Sequence, residues 1–142
     1  MARPTPSFVS EADLNERFNT SKLLASKGDY GCGAVVFQGD LEDEPGSLLF
    51  DDHWFYALNT QHPDDVGTVL VTGNVRSKSE LFVSDRLMCL VVLGSFEAPA
   101  LSVFETEMYV GGDLTVGDLT DRDNYLTVKG TRSVAETAKG KE

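Results

Sequence analysis

The chain has 142 residues, 23 acidic against 12 basic side chains for a formal net charge of −11, and 41% hydrophobic content. This length gives one domain that buries a core without a metal or disulfide staple, and the charge argues against direct nucleic-acid binding, because phosphates are repelled by a surface of this sign. No apolar run reaches the length of a membrane-spanning helix, and Met1-Ala-Arg-Pro-Thr-Pro-Ser7 is followed by no secretion-signal stretch, so a cytoplasmic protein with no membrane partner is expected.

In chain order, residues 1–9 read as a flexible leader containing two prolines. The single domain spans residues 10–130. Its first part, residues 10–28, reads as one amphipathic helix: Ser10 supplies an N-cap, Glu11 and Asp13 favour the first turn, and Leu14, Phe18, Leu23 and Leu24 form an apolar stripe ending before Gly28. Residues 29–66 read as a degenerate rung and an acidic loop, holding Val35-Val-Phe-Gln-Gly39-Asp-Leu41, then Asp51-Asp-His-Trp-Phe-Tyr56, then His62-Pro-Asp-Asp65.

Residues 67–130 repeat one apolar-glycine phrase: Val69-Leu-Val-Thr-Gly73-Asn-Val75, Leu90-Val-Val-Leu-Gly94-Ser-Phe96, Met108-Tyr-Val-Gly-Gly112-Asp-Leu114 and Leu126-Thr-Val-Lys-Gly130. The glycines recur after 21, 18 and 18 residues, close to one coil of a solenoid whose rungs cannot bury their apolar faces alone. Large apolar residues lie two and four positions before each glycine and two after it, the period-2 pattern of a strand with one buried face. A second apolar pair follows: Leu48 and Phe50, Leu81 and Val83, Leu101 and Val103.

Each rung is therefore expected to contribute two short strands joined at a glycine corner. The expected fold is all-β, a short β-solenoid of about four rungs with an N-terminal helix capping its open end, and with Val71, Val92, Val110 and Val128 stacked in an internal column. Slippage of the apolar spacing fits a right-handed or irregular coil better than a strict hexapeptide coil. The competing architecture is an antiparallel β-sandwich, which also has glycine-bearing turns at short intervals. Arg132 takes a position where a large apolar residue is expected, as an exposed terminal rung requires. Residues 131–142 read as a mobile tail.

Charge is distributed unevenly. Between Lys27 and Arg76 there is no lysine or arginine, and a solenoid stacks equivalent positions into a stripe, so an acidic face is expected. The candidate partner-binding residues are Asp40, Glu42, Asp43, Glu44, Asp51, Asp52, Asp64 and Asp65, with Trp54, Phe55 and Tyr56 as an aromatic element beside the carboxylates. Reversing Asp43, Glu44, Asp51 and Asp52 is expected to slow association while leaving the fold intact.

No catalytic residue, metal ligand or cofactor site is expected. Nucleophile elbow, phosphate-binding loop and dinucleotide fingerprint are all missing from the sequence. The two meetings of histidine with carboxylates, Asp51-Asp52-His53 and His62-Pro-Asp64-Asp65, match no ligand spacing. Cys32 and Cys89 are far apart and outside any CxxC motif, as free thiols in a reducing compartment would be.

The phrases at Leu90–Phe96, Met108–Val116 and Tyr125–Gly130 resemble the rungs of small bacterial β-solenoid proteins, some of them similar to immunity proteins of polymorphic-toxin and contact-inhibition systems. The resemblance spans about residues 67–130. It implies a non-enzymatic protein that neutralises a cognate toxin, or another basic protein, by occlusion. Two alternatives stand beside it: a self-assembling solenoid scaffold, with homo-oligomers, and an acidic nucleic-acid mimic that binds a basic protein.

Overall fold

A computed structural model describes residues 6–24, 32–43, 49–60, 66–84, 86–103, 105–121 and 126–134. In chain order the elements are β1 (Pro6–Ser10), α1 (Glu11–Phe18), α2 (Thr20–Leu23), β2 (Gly33–Phe37), β3 (Leu41–Glu42), α3 (Asp52–Asn59), β4 (Val66–Val71), β5 (Val75–Arg76), β6 (Leu81–Phe82), β7 (Cys89–Val92), β8 (Phe96–Val103), β9 (Glu107–Val110), β10 (Leu114–Asp121), β11 (Leu126–Val128) and β12 (Arg132–Val134). One sheet has the order β1-β2-β4-β7-β9-β11 and the other β12-β10-β8-β5-β3, with β6 beside β8.

From β2 onward successive strands alternate between the two sheets, except that β5 and β6 both belong to the second, and every pairing except that of β1 with β2 is parallel. Such a chain winds as a coil, so the fold is a short β-solenoid and the antiparallel sandwich is excluded. In the long strand β8 the phase of burial changes midway. Its buried positions shift from Phe96 and Ala98 to Leu101 and Val103, and β6 aligns Leu81 with Leu101 beyond that change.

Side-chain alternation stacks the core in columns. Val71 pairs with Val92, Val92 with Val110 and Val110 with Val128, as the constant offset from glycine requires, and Phe37 opens the same column. Val35, Val69, Leu90, Met108 and Leu126 form the parallel column two residues earlier. Across the interior, Leu41, Val75, Phe96 and Leu114 face them from the second sheet. All of these except the terminal Val128 are buried, and each coil closes the apolar face of its neighbour.

The N-terminal segment departs from the expected layout. Residues 6–9, read as leader, belong to β1, which pairs antiparallel with β2 from Pro6↔Phe37 to Ser10↔Gly33 and covers the edge of the first sheet. The expected single helix divides at Asn19, whose φ of 58° breaks the helical path between α1 and α2. Ser10 is the N-cap, its hydroxyl accepting from Asp13 N–H at 3.0 Å.

Leu14 and Leu24 pack on Ala34, Val36, Leu70, Val91 and Tyr109, the side of the first sheet turned away from the main core. The helical segment therefore covers a flank, while β1 closes the end of that sheet. Burial on both sides explains why β2, β4 and β7 are almost wholly apolar, with Thr68 the one polar side chain among them.

Between β3 and β4 the chain forms α3 where a degenerate rung was expected. Asp51 starts it, with Oδ1 accepting from Trp54 N–H at 2.8 Å, and Phe55 and Leu58 enter the main core at helical spacing. At the other end, ordered strand continues past Gly130 to Val134 in β12, so the solenoid takes in residues 131–134 of the expected tail.

Candidate functional site

The glycine corners place the first candidate residue. Gly73 N–H donates to Gly39 C=O at 3.0 Å, Gly94 to Gly73 at 3.0 Å, Gly112 to Gly94 at 2.8 Å and Gly130 to Gly112 at 3.0 Å. Beside this ladder runs a second one made by the residue after each glycine. Asp40 Oδ1 accepts from Asn74 N–H at 2.8 Å, Asn74 Oδ1 from Ser95 N–H at 2.8 Å, Ser95 Oγ from Asp113 N–H at 3.1 Å, and Asp113 Oδ1 from Thr131 N–H at 2.9 Å. Short polar side chains suit this place because their oxygens reach a backbone donor one coil away. Asp40 is thus a joint between coils.

The other described acids are similarly engaged. Asp43 Oδ1 accepts from Lys78 N–H at 3.1 Å, Asp51 caps α3, and Asp52 Oδ1 accepts from Ser84 Oγ at 2.5 Å. Glu42 lies 3.9 Å from Arg76, which is also 3.6 Å from Glu97. Reversing Asp43, Asp51 and Asp52 would remove three of these bonds, so it is not the fold-neutral probe expected from sequence. Glu44, Asp64 and Asp65 lie outside the described residues.

Nor do the acids form one continuous stripe. Along the outward column of the second sheet the order is Glu42, Arg76, Glu97, Thr115, Ser133, with the arginine between two glutamates. Such exposed pairs contribute little to stability.

The aromatic triplet is divided by the helix. Phe55 is buried in the core and offers nothing to a partner. Trp54 is half-buried, its ring 5.0 Å from Phe50 in a T-shaped contact and 5.9 Å from Phe37. Tyr56 alone is exposed, at 63%. A strand would have sent Trp54 and Tyr56 to one face; the helical turn of about 100° per residue separates them instead.

Beside α3 lies a segment that sequence reasoning passed over. Ser84 N–H donates to Phe50 C=O at 2.7 Å, Leu87 N–H to Ser84 C=O at 3.1 Å and Met88 N–H to Gly67 C=O at 2.9 Å. The buried Thr106 hydroxyl is 2.6 Å from Leu87 C=O and 2.9 Å from Ser84 C=O. These bonds fix the backbone of residues 84 and 87–88 while Met88 stays exposed. Between this segment and α3 is an open cleft of about 300 Å³ lined by Cys32, Phe55, Asn59, Val66, Arg86 and Met88.

Asn59 Oδ1 accepts from Val66 N–H at 2.7 Å, and the Arg86 guanidinium makes no ion pair among the described residues. The sequence signal for this surface was weak, since Phe82 and Met88 both fall within the repeat region of residues 67–130. Among the described residues, no group of three or more His, Cys, Asp and Glu side chains is arranged to hold a metal ion.

Comparison with protein-family models, with curated proteins and with solved structures gives no match.

Proposed function

We propose that this chain is a non-enzymatic protein-binding module of the immunity type, which occludes a cognate toxin domain with the surface formed by α3 and residues 82–84 and 86–88. One observation carries the reading. The exposed large apolar side chains among the described residues are Tyr56, Phe82 and Met88, and all three belong to α3 or to the segment that Ser84 ties to it. Tyrosine, phenylalanine, methionine and arginine are the residue types enriched at interface centres.

Of these, Arg86 and Met88 line the cleft beside α3, and the backbone of residues 84 and 87–88 is held by the bonds of Ser84, Met88 and Thr106. A surface already fixed in place avoids part of the ordering entropy of association. Asp52 lies one helical turn before Tyr56, and Glu42 is exposed on the first coil, which together with the net charge suits a basic partner. The nucleic-acid-mimic alternative has less support, because the corner column separates Asp40 from Asp113 by the neutral Asn74 and Ser95.

The test is a calorimetric titration of the purified chain with a catalytically inactivated toxin domain encoded beside its gene. Tight binding is expected, with Tyr56→Ala and Met88→Ala each weakening it about tenfold or more, as truncated hot-spot residues do. Failure of the unmodified chain to bind, or unchanged affinity in both variants, contradicts the proposal.

A further inference from the structure

We infer that the cleft beside α3 receives a carboxylate side chain of the docked partner, an aspartate or a glutamate, with Arg86 as its counter-charge. This rests on the docking reading above and names the chemistry of one point on that surface. The described arginines are Arg17, Arg76, Arg86 and Arg132. Arg17 lies 3.9 Å from Asp13 and over the ring of Phe18, Arg76 lies between Glu42 and Glu97, and Arg132 donates to Leu126 C=O at 3.3 Å. Among them, the Arg86 guanidinium alone has no partner. The chain has 23 acidic and 12 basic side chains, so a shortage of carboxylates is not the reason.

The surroundings favour an anion from outside. Arg86 N–H donates to Ser84 Oγ at 3.3 Å, and the N–H groups of Leu87 and Met88 donate to Ser84 and Gly67 C=O, so the base of a long side chain is held in place. Asp52, the acid on the same Ser84 hydroxyl, receives its O–H on Oδ1 and makes no ion pair with Arg86. No carboxylate lines the cleft. Asn59, which does line it, has Oδ1 occupied by Val66 N–H at 2.7 Å, and its Nδ2 donates to nothing among the described residues.

The polar groups left over at this cleft are therefore donors, the fork of Arg86 and the amide of Asn59, while Phe55, Val66 and Met88 supply an apolar wall. A short carbon chain ending in a carboxylate matches both, its oxygens meeting the donors and its methylenes the wall. A lysine or arginine of the partner would meet like charge there. Arg86 is the only basic residue in α3 and residues 82–84 and 86–88. On a partner drawn in by the chain's exposed acids, one carboxylate opposite Arg86 fixes the register, because any other placement sets it against those acids.

The experiment has two arms. In the first, the arginine Nε–H resonances of the isotope-labelled full chain are followed as sodium propionate, propionamide or sodium chloride is added. Expected is a saturable shift of Arg86 with propionate alone, with the paired Arg17 and Arg76 unmoved; no response of Arg86, or a common response of all arginines to propionate and chloride, overturns the inference. In the second arm the inactivated toxin domain is titrated into the unmodified chain, Arg86→Gln and Arg86→Glu, each shown to be folded by circular dichroism. Affinity is expected to fall about tenfold for Arg86→Gln and further for Arg86→Glu, because reversal sets two carboxylates against each other. Binding by Arg86→Glu as tight as that by Arg86→Gln, or tighter, overturns the inference. So does unchanged affinity of both while Tyr56→Ala still weakens binding, a result that leaves the docking reading standing; no binding by the unmodified chain removes both.

Discussion

Replacing Gly94 by alanine tests the corner ladder that joins one coil to the next. A Cβ built there lies 2.5 Å from the Gly73 carbonyl oxygen and 2.7 Å from its carbon, and also strikes Asn74 Oδ1. The obstacle is close approach and not backbone conformation, because Gly39 is the one described glycine with positive φ. Two of the obstructing atoms are backbone, so the coils must move apart, weakening the Gly94-to-Gly73 bond at 3.0 Å and the Ser95-to-Asn74 bond at 2.8 Å.

Overpacking costs about 1–3 kcal/mol and each hydrogen bond contributes about 1 kcal/mol, which gives about 3–5 kcal/mol in all. Gly112→Ala provides the internal comparison. Its nearest obstacle is the Ser95 hydroxyl at 2.6 Å, with backbone no closer than 3.0 Å, so rotation of the hydroxyl relieves the clash at the cost of the single Asp113-to-Ser95 bond, and about 1–2 kcal/mol is expected. Urea unfolding followed by fluorescence of Trp54, the only tryptophan, measures both. A Gly94→Ala loss below about 1 kcal/mol, or a larger loss for Gly112→Ala, would refute the steric argument on the scale set by overpacking.

Val92→Asp places an unpaired carboxylate in the fully buried valine column and should unfold the chain at 25 °C by circular dichroism, since such burial costs several kcal/mol. Asp51→Ala removes the cap of α3 and should lower stability by about 1 kcal/mol in urea, whereas Asp51→Asn, which keeps an acceptor, should lose little. Tyr56→Ala should leave the urea midpoint unchanged because the ring is largely exposed, separating its role in binding from any role in folding.

The regular coils were legible because two constraints act together on them. Period-2 burial fixed which residues face inward, and the glycine corner fixed where each coil turns, so the valine register followed from offset alone. At Arg132 the same register identified the one polar member of an inward column. Elsewhere the pattern was too short or had two meanings. Pro6 argued for a leader, yet a proline tolerates the edge position that β1 occupies.

In residues 51–59, Trp54, Phe55 and Leu58 carry helical spacing and Asp51 a capping side chain, but alternation in the flanking rungs favoured a strand. Composition also could not separate acids that hold backbone, such as Asp40, Asp43 and Asp51, from acids left for a partner. That difference depends on which N–H lies a coil away. Met88 was invisible for a related reason: its exposure follows from the bonds that Gly67, Ser84 and Thr106 make to its segment, none of them adjacent in sequence.

The central claim is that a partner docks on α3 and the neighbouring segment. Backbone hydrogen exchange of the chain, alone and with the inactivated toxin domain bound, tests it most directly. Slowed exchange in residues 52–59 and 82–88, with the last coil from Leu126 to Val134 unchanged, is the predicted result. Protection confined to the corner column or to the last coil, with α3 exchanging as in the free chain, would contradict it.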